Sequence, residues 1–306
     1  MENGQPSDIR LVASNAQNQR LRLYRGLALN KLKPAEVAKV IGDGEQQLRS
    51  VLDIRTKEEI GDCIDYPVPE GVSYRILQLD SRSGEFVELR SAKAASESDS
   101  AVITFYRVDF YTLTKKLKIF SGLLWNNWRL ALSGWTSSER FDTTDGIKMG
   151  ILKKLANDVA HSKGGAGLYL DWLDPAMDCS GLVALFRLLC NPDIYPAMLH
   201  CQYGKDRTGA VCALLQMMDP GMTEDQVVDE YHATEVHIKR LLPEIEAKVK
   251  RAGMPVECAR CPKELIKEVL DWIKNRYGTV EDYLLQIGLQ EAEVAAIKSN
   301  LGYVKG

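Results

Sequence analysis

Few features of this chain point outward. Its 39 lysines and arginines are balanced by 42 acidic residues, a net charge of −3, so no global basic field draws it to nucleic acid. The longest apolar stretch, Ile119 to Trp135, is broken by Asn126, Asn127 and Arg129 and falls short of the ~20 residues a spanning helix requires. The opening MENGQPSDIR lacks the basic and apolar regions of a secretory leader, and Gly4 stands away from the second position that N-myristoylation needs. Without a leader, seven cysteines fit a reducing compartment better than a disulfide framework, and the expected location is the cytoplasm. Cys258 and Cys261, in CARC, have the spacing of half a zinc site, but no second such pair or nearby histidine pair completes it. They read as two incidental thiols in a loop.

What is present is ordinary in bulk: 45% apolar and 26% charged residues, and 306 residues, enough for one large core. Leu21, Leu23 and Tyr24 suggest a short strand, and Pro34 opens a helix carrying Val37, Val40 and Ile41. Val51–Ile54 reads as a buried strand and Val72–Asp80 as an alternating one. Residues 1–19 read as a disordered N-terminal segment and residues 81–100, rich in Ser, Ala and charge, as a mobile insertion. Residues 102–135 read as helical, with Trp125, Trp128, Leu132 and Trp135 on one face, and a second helix ends at Gly164-Gly165. The Trp stripe is a core face or a lid; contact with a bilayer is the less favoured reading. Asp174 and Pro175 read as N-cap and first turn of the next helix. A strand over YPAMLHC follows, and Thr208 starts another helix. Residues 222–306 read as helical almost throughout, with a capping box at Thr223 and Gln226 and helix ends at Gly278 and Gly302. Strands alternating with helices predict an α/β fold, an open, largely parallel sheet flanked by helices with extra C-terminal helices, in one domain over 20–306.

The chemistry concentrates in LHCQYGKDRTGAVCALL, Leu199 to Leu215. A Walker loop fails here, because Leu199 stands where its first glycine belongs and Asp206 where its Ser or Thr belongs. Cys179, Cys190 and Cys212 lie in apolar helical patterns and read as small hydrophobes. Cys201 differs in its surroundings. Gly204 and Gly209 let the backbone curl, successive amides form a nest for an oxyanion, and the following helix adds its free N–H groups. Such a field also favours a thiolate over a thiol. Arg207 supplies a planar fork for two phosphoryl oxygens. Cys201 therefore reads as a nucleophile toward phosphorus.

HCQYGKDRTG resembles the Cys-x5-Arg-Ser/Thr signature of the protein tyrosine phosphatase superfamily, in its atypical bacterial and fungal branch. LYRGLALNKL, VLDIRTKEE, GLYLDWLDPAMD, NPDIYPAMLHC and IKNRYGTVEDYLLQIGL fall in the order that branch shows, so the resemblance runs from about Arg20 to Leu301, leaving 81–100 unmatched. It implies a phosphocysteine intermediate, no metal or cofactor, and a phosphorylated protein or phosphoinositide as substrate, with dual-specificity members among its relatives. Gln202, Tyr203, Gly204, Lys205, Thr208 and Gly209 would line the phosphate site, Gln202-Tyr203 being bulkier than is usual there.

A leaving oxygen needs a proton. Asp174, in WLDP, has a stronger role as an N-cap, and Asp171 and Asp178 are weaker candidates. Asp53 ends the strand SVLDI, where catalytic groups gather in open α/β sheets, and matches the aspartate proposed as acid in the branch. It is chosen here as the acid, against a simple pairing with Arg55; Asp206, inside the loop, is the alternative or a helper in hydrolysis. Lys205 reads either as a solvated charge or as a contact for a second phosphate, and His200 as an organiser of the loop. The rivals are a catalytically weak phosphate-binding adaptor and sulfur or arsenate chemistry on a similar loop.

Overall fold

The computed structural model describes residues 8–41, 47–61, 66–70, 72–92, 102–110, 166–252 and 254–303. Among the described residues seven strands form one sheet: β1 (Ile9–Ser14), β2 (Arg22–Gly26), β3 (Ser50–Asp53), β4 (Tyr74–Leu79), β5 (Phe86–Ala92), β6 (Ile103–Arg107) and β7 (Ala197–His200). Their order is β1-β2-β7-β3-β6-β4-β5. The five inner strands run parallel, and β1 and β5 pair antiparallel at the two edges. The expected α/β class and largely parallel sheet are what the chain forms. β7 and β3 are buried at every position, as central parallel strands covered on both faces must be.

Three expectations in the sheet region are corrected. Ile9–Ser14 lies in the segment read as disordered, yet it pairs with β2 from Ile9↔Gly26 to Ser14↔Arg22. Phe86–Ala92 lies in the segment read as a mobile insertion, yet it forms a hairpin with β4. Ile103–Arg107, read as helix, is a buried strand between β3 and β4. The Trp stripe and the helix ending at Gly164-Gly165 lie outside the described residues.

The helices before the central loop are α1 (Pro34–Ile41), α2 (Lys57–Ile60), α3 (Gly167–Leu173) and α4 (Ser180–Cys190). Asp174 does not start α4. It closes α3, its N–H donating to the Leu170 carbonyl, and its side chain accepts from the Ala176 amide at 2.9 Å in a turn. After β7 come α5 (Asp206–Met217), α6 (Glu224–His232), α7 (Thr234–Ile238), α8 (Leu242–Arg251), α9 (Lys263–Tyr277), α10 (Val280–Gln286) and α11 (Glu291–Leu301). α6 opens with the expected capping box at Thr223 and Gln226, and α9 and α11 end at Gly278 and Gly302. α5 is buried from Arg207 to Gln216 on every face, the mark of a central helix. No helix among the described residues is long and apolar enough to cross a membrane.

Candidate active site

β7 delivers Cys201 to the carboxyl end of the sheet, between β2 and β3, and α5 leaves from Asp206 two residues earlier than Thr208. The five residues between must turn sharply. Gly204 does so with φ +60°, and a Cβ there would lie 2.3 Å from the Gly26 carbonyl oxygen, so only glycine fits. Arg25, buried in β2, fixes the same turn: its Nη2 donates to the Gly204 carbonyl at 2.9 Å and to Thr234 Oγ1 at 3.2 Å. Its Nη1 donates to Glu230 at 2.6 Å.

The loop is rich in unspent donors. Among the described residues no oxygen accepts from the amides of Gln202, Tyr203, Gly204 or Lys205. The buried Thr208 hydroxyl also has no partner there. Such donors around a buried Cys201, at the start of a twelve-residue helix, form a concave field for an anion. Arg207 is held at its edge: Nη1 donates to the Ile54 carbonyl at 2.9 Å, and Nη2 to both oxygens of Glu59 at 2.7 and 2.6 Å. Glu59 is itself fixed, since with Thr56 it forms the capping box of α2. Burial alone would raise the Glu59 carboxyl, but Arg207 more than offsets this and holds it below its ordinary range. The sequence reading missed Glu59, although the Thr56-x-x-Glu59 spacing was a signal for at least its capping role.

Gln202 is half-buried, and its carbonyl accepts from the Ala28 amide at 3.4 Å. Tyr203 is nearly covered: its hydroxyl donates to Glu244 at 3.1 Å, and Lys31 and Lys248 stand 5.9 and 5.3 Å from its ring centre. Lys248 also lies 3.6 Å from Glu59, so it shares that carboxylate with Arg207. Gly209 is not part of the cradle. Its amide donates to the Lys205 carbonyl at 2.9 Å, and its missing side chain makes room for the Tyr231 ring, which a Cβ would approach to 2.9 Å.

Asp53 lies beneath the loop with no exposed surface. Arg55 grips it with two side-chain nitrogens, at 3.0 Å from Nε to Oδ1 and 2.7 Å from Nη2 to Oδ2, and Tyr66 donates to Oδ2 at 2.7 Å. Burial would raise this carboxyl, but His200, Arg55 and Tyr66 overcome it and keep it far below the usual carboxylate range. With no exposed surface, Asp53 has no path to a substrate's leaving oxygen. His200 has its Nδ1 3.0 Å from the Cys201 carbonyl at the start of the loop; burial pushes its imidazole down.

Lys205 is likewise not at the mouth. It is 2% exposed, and its ammonium donates to Asp206 Oδ1, to the Cys258 carbonyl at 2.9 Å and to the Arg260 carbonyl at 3.1 Å. Burial opposes its charge, but Asp206 outweighs burial and the ammonium stays protonated. The CARC segment thus serves the loop through its carbonyls. Cys261 is buried and its thiol pushed up to about 12 by that burial. Asp206 is one-third exposed. Besides Lys205, its Oδ1 accepts from Tyr169 at 2.8 Å, and Tyr169 in turn bonds Tyr231 at 2.7 Å.

Comparison with known proteins adds two findings. A model of the tyrosine phosphatase family matches residues 12–303. A tyrosine-protein phosphatase of Nostoc commune is 24% identical over 177 residues, 54% of this chain, and the match spans 58% of the length of that relative.

Proposed function

The chain belongs to the tyrosine phosphatase family, and from that premise we propose that it hydrolyses phosphotyrosine-like monoesters through a phosphocysteine at Cys201. One observation carries the reading: four loop amides without partners among the described residues and a guanidinium fixed by Glu59 lie about a buried cysteine at a helix start. Donors set in advance around the position of a phosphoryl group stabilise its charge without reorganisation during reaction. In the first step the Cys201 sulfur bonds to phosphorus and the ester P–O bond breaks, its electrons going to the leaving oxygen. In the second, water attacks phosphorus and the sulfur leaves, with the unpartnered Thr208 hydroxyl available to donate to it.

Asp206 is the acid in this proposal, in place of Asp53. It stands in the loop with part of its carboxylate exposed, whereas Asp53 is sealed under Arg55 and Tyr66. Asp206 protonates the leaving oxygen and takes a proton back from the attacking water. Asp53 and His200 support the floor of the loop.

The rim cations are Lys31 and Lys248, around Tyr203, rather than Lys205. Their position supports substrates with a second acidic group near the scissile phosphate, including phosphoinositides. We place the activity in the cytoplasm, on cysteine usage.

The test is hydrolysis of p-nitrophenyl phosphate and of a phosphotyrosine peptide by wild type and Cys201→Ser. The variant loses turnover and still binds tungstate. Full activity in Cys201→Ser sinks the mechanism, and a wild type that binds tungstate without turning over either substrate establishes the adaptor.

A further inference from the structure

Asp206 does not stand alone. Its Oδ1 accepts from two buried donors, the Lys205 ammonium and the Tyr169 hydroxyl, the latter at 2.8 Å. Among the described residues Oδ2 accepts from nothing. Tyr169 has one hydroxyl hydrogen and gives it to Asp206, so Tyr231 is the donor in the 2.7 Å bond between the two tyrosines. The direction is fixed: Tyr231 donates to Tyr169, and Tyr169 to Asp206. Both rings are buried, at 2% and 0% exposure, and lie edge to face with centres 6.4 Å apart. Burial, added to nearby acidic groups, raises both phenols well above their ordinary value, so each remains a neutral donor. The place of Tyr231 depends on the loop helix itself, because only a glycine at 209 leaves space for its ring.

We propose that Tyr169 is a positioning residue for Asp206, held in turn by Tyr231, and that together with Lys205 it occupies Oδ1 so that Oδ2 alone carries the catalytic proton. This rests on Asp206 being the acid of the reaction proposed above. The proton on Oδ2 passes to the leaving oxygen as the P–O bond breaks and the S–P bond forms. When water attacks phosphorus and the S–P bond breaks, its proton returns to Oδ2. Neither tyrosine is consumed, and neither touches the substrate. A carboxylate with one oxygen fixed has lost much of its rotational freedom before the substrate arrives, the preorganisation on which proton transfer in a transition state depends.

Leaving groups of different basicity separate this role from a structural one. Phenyl phosphate needs the proton more than p-nitrophenyl phosphate does. Tyr169→Phe keeps the ring and removes only the hydroxyl, so kcat on phenyl phosphate falls by about tenfold, a part of the roughly 10²–10⁴ that general acid catalysis supplies. On p-nitrophenyl phosphate kcat falls several-fold less, and KM stays unchanged on both. In an Asp206→Asn background the same substitution has no further effect. Equal losses on the two substrates, or a loss that persists in the Asp206→Asn background, overturn the proposal. Should Tyr169→Phe not fold, Tyr231→Phe gives the same selective pattern at smaller amplitude, and an unselective loss there overturns the proposal equally. Asp206→Asn alone tests the premise: if it is selective and the tyrosine variants are not, only the positioning role fails. If Asp206→Asn is itself unselective, the assignment of the acid fails and the positioning role with it.

Discussion

Lys205→Met separates two accounts of one residue. A lysine at the mouth would bind a second phosphate, and its loss would raise KM and leave stability alone. The structure places the ammonium under the loop, with Asp206 and two carbonyls as partners. Methionine preserves the apolar stem but leaves the Cys258 and Arg260 carbonyls without their donor. Hydrogen bonds to a charged group contribute about 1.5–3 kcal/mol each. The two carbonyls therefore account for about 3–6 kcal/mol, while Asp206 adds little because Tyr169 and water still reach it. At about 2 °C per kcal/mol for a chain of this size, Tm drops by roughly 6–12 °C. Differential scanning fluorimetry, with kcat and KM measured well below the new Tm, checks this. A variant with unchanged Tm and a KM raised about tenfold would refute the buried cradle.

Glu59→Gln removes the charge that holds Arg207. Steady-state assays should show kcat/KM lowered about 10- to 100-fold, the scale on which misplacement of a binding group acts, with circular dichroism unchanged. Gly204→Ala puts a Cβ 2.3 Å from a backbone oxygen at positive φ, and urea unfolding should show at least about 3 kcal/mol lost. His200 gives a pH signature. Burial pushes its folded-state pKa down, so below about pH 6.5 the unfolded chain binds a proton that the folded chain refuses, and stability falls as pH falls. Below its folded pKa both states bind the proton and this contribution levels off. Between those two limits the slope from this residue is at most about 1.4 kcal/mol per pH unit, and His200→Gln should lack it in urea titrations from pH 7.5 to 5.5.

The parts of the molecule legible in sequence are those written contiguously. Cys201 to Gly209 carries the loop cysteine, the turn glycine and the guanidinium in nine residues, and β3 and β7 announce themselves as short apolar runs. Phe86–Ala92 was hidden because, as an exposed edge strand, it has no buried face to print a hydrophobic pattern. Asp174 misled because Asp-Pro suits both a helix start and the turn it actually makes. The roles of Asp53 and Lys205 turned on burial, which depends on what the fold lays over them: Tyr66 on one, residues 258 and 260 on the other. Tyr169 and Asp206 are 37 positions apart, and nothing local marks their hydrogen bond. Glu59 could be read as a cap, but not as the partner of an arginine 148 residues away.

The carbonyls that hold Lys205 arrive from more than fifty residues downstream, past four helices. The set of residues that holds this loop consequently reaches at least to Arg260. A fragment cut after α5 would contain every residue of the Cys-x5-Arg signature and still lack two of the three ligands of its buried ammonium.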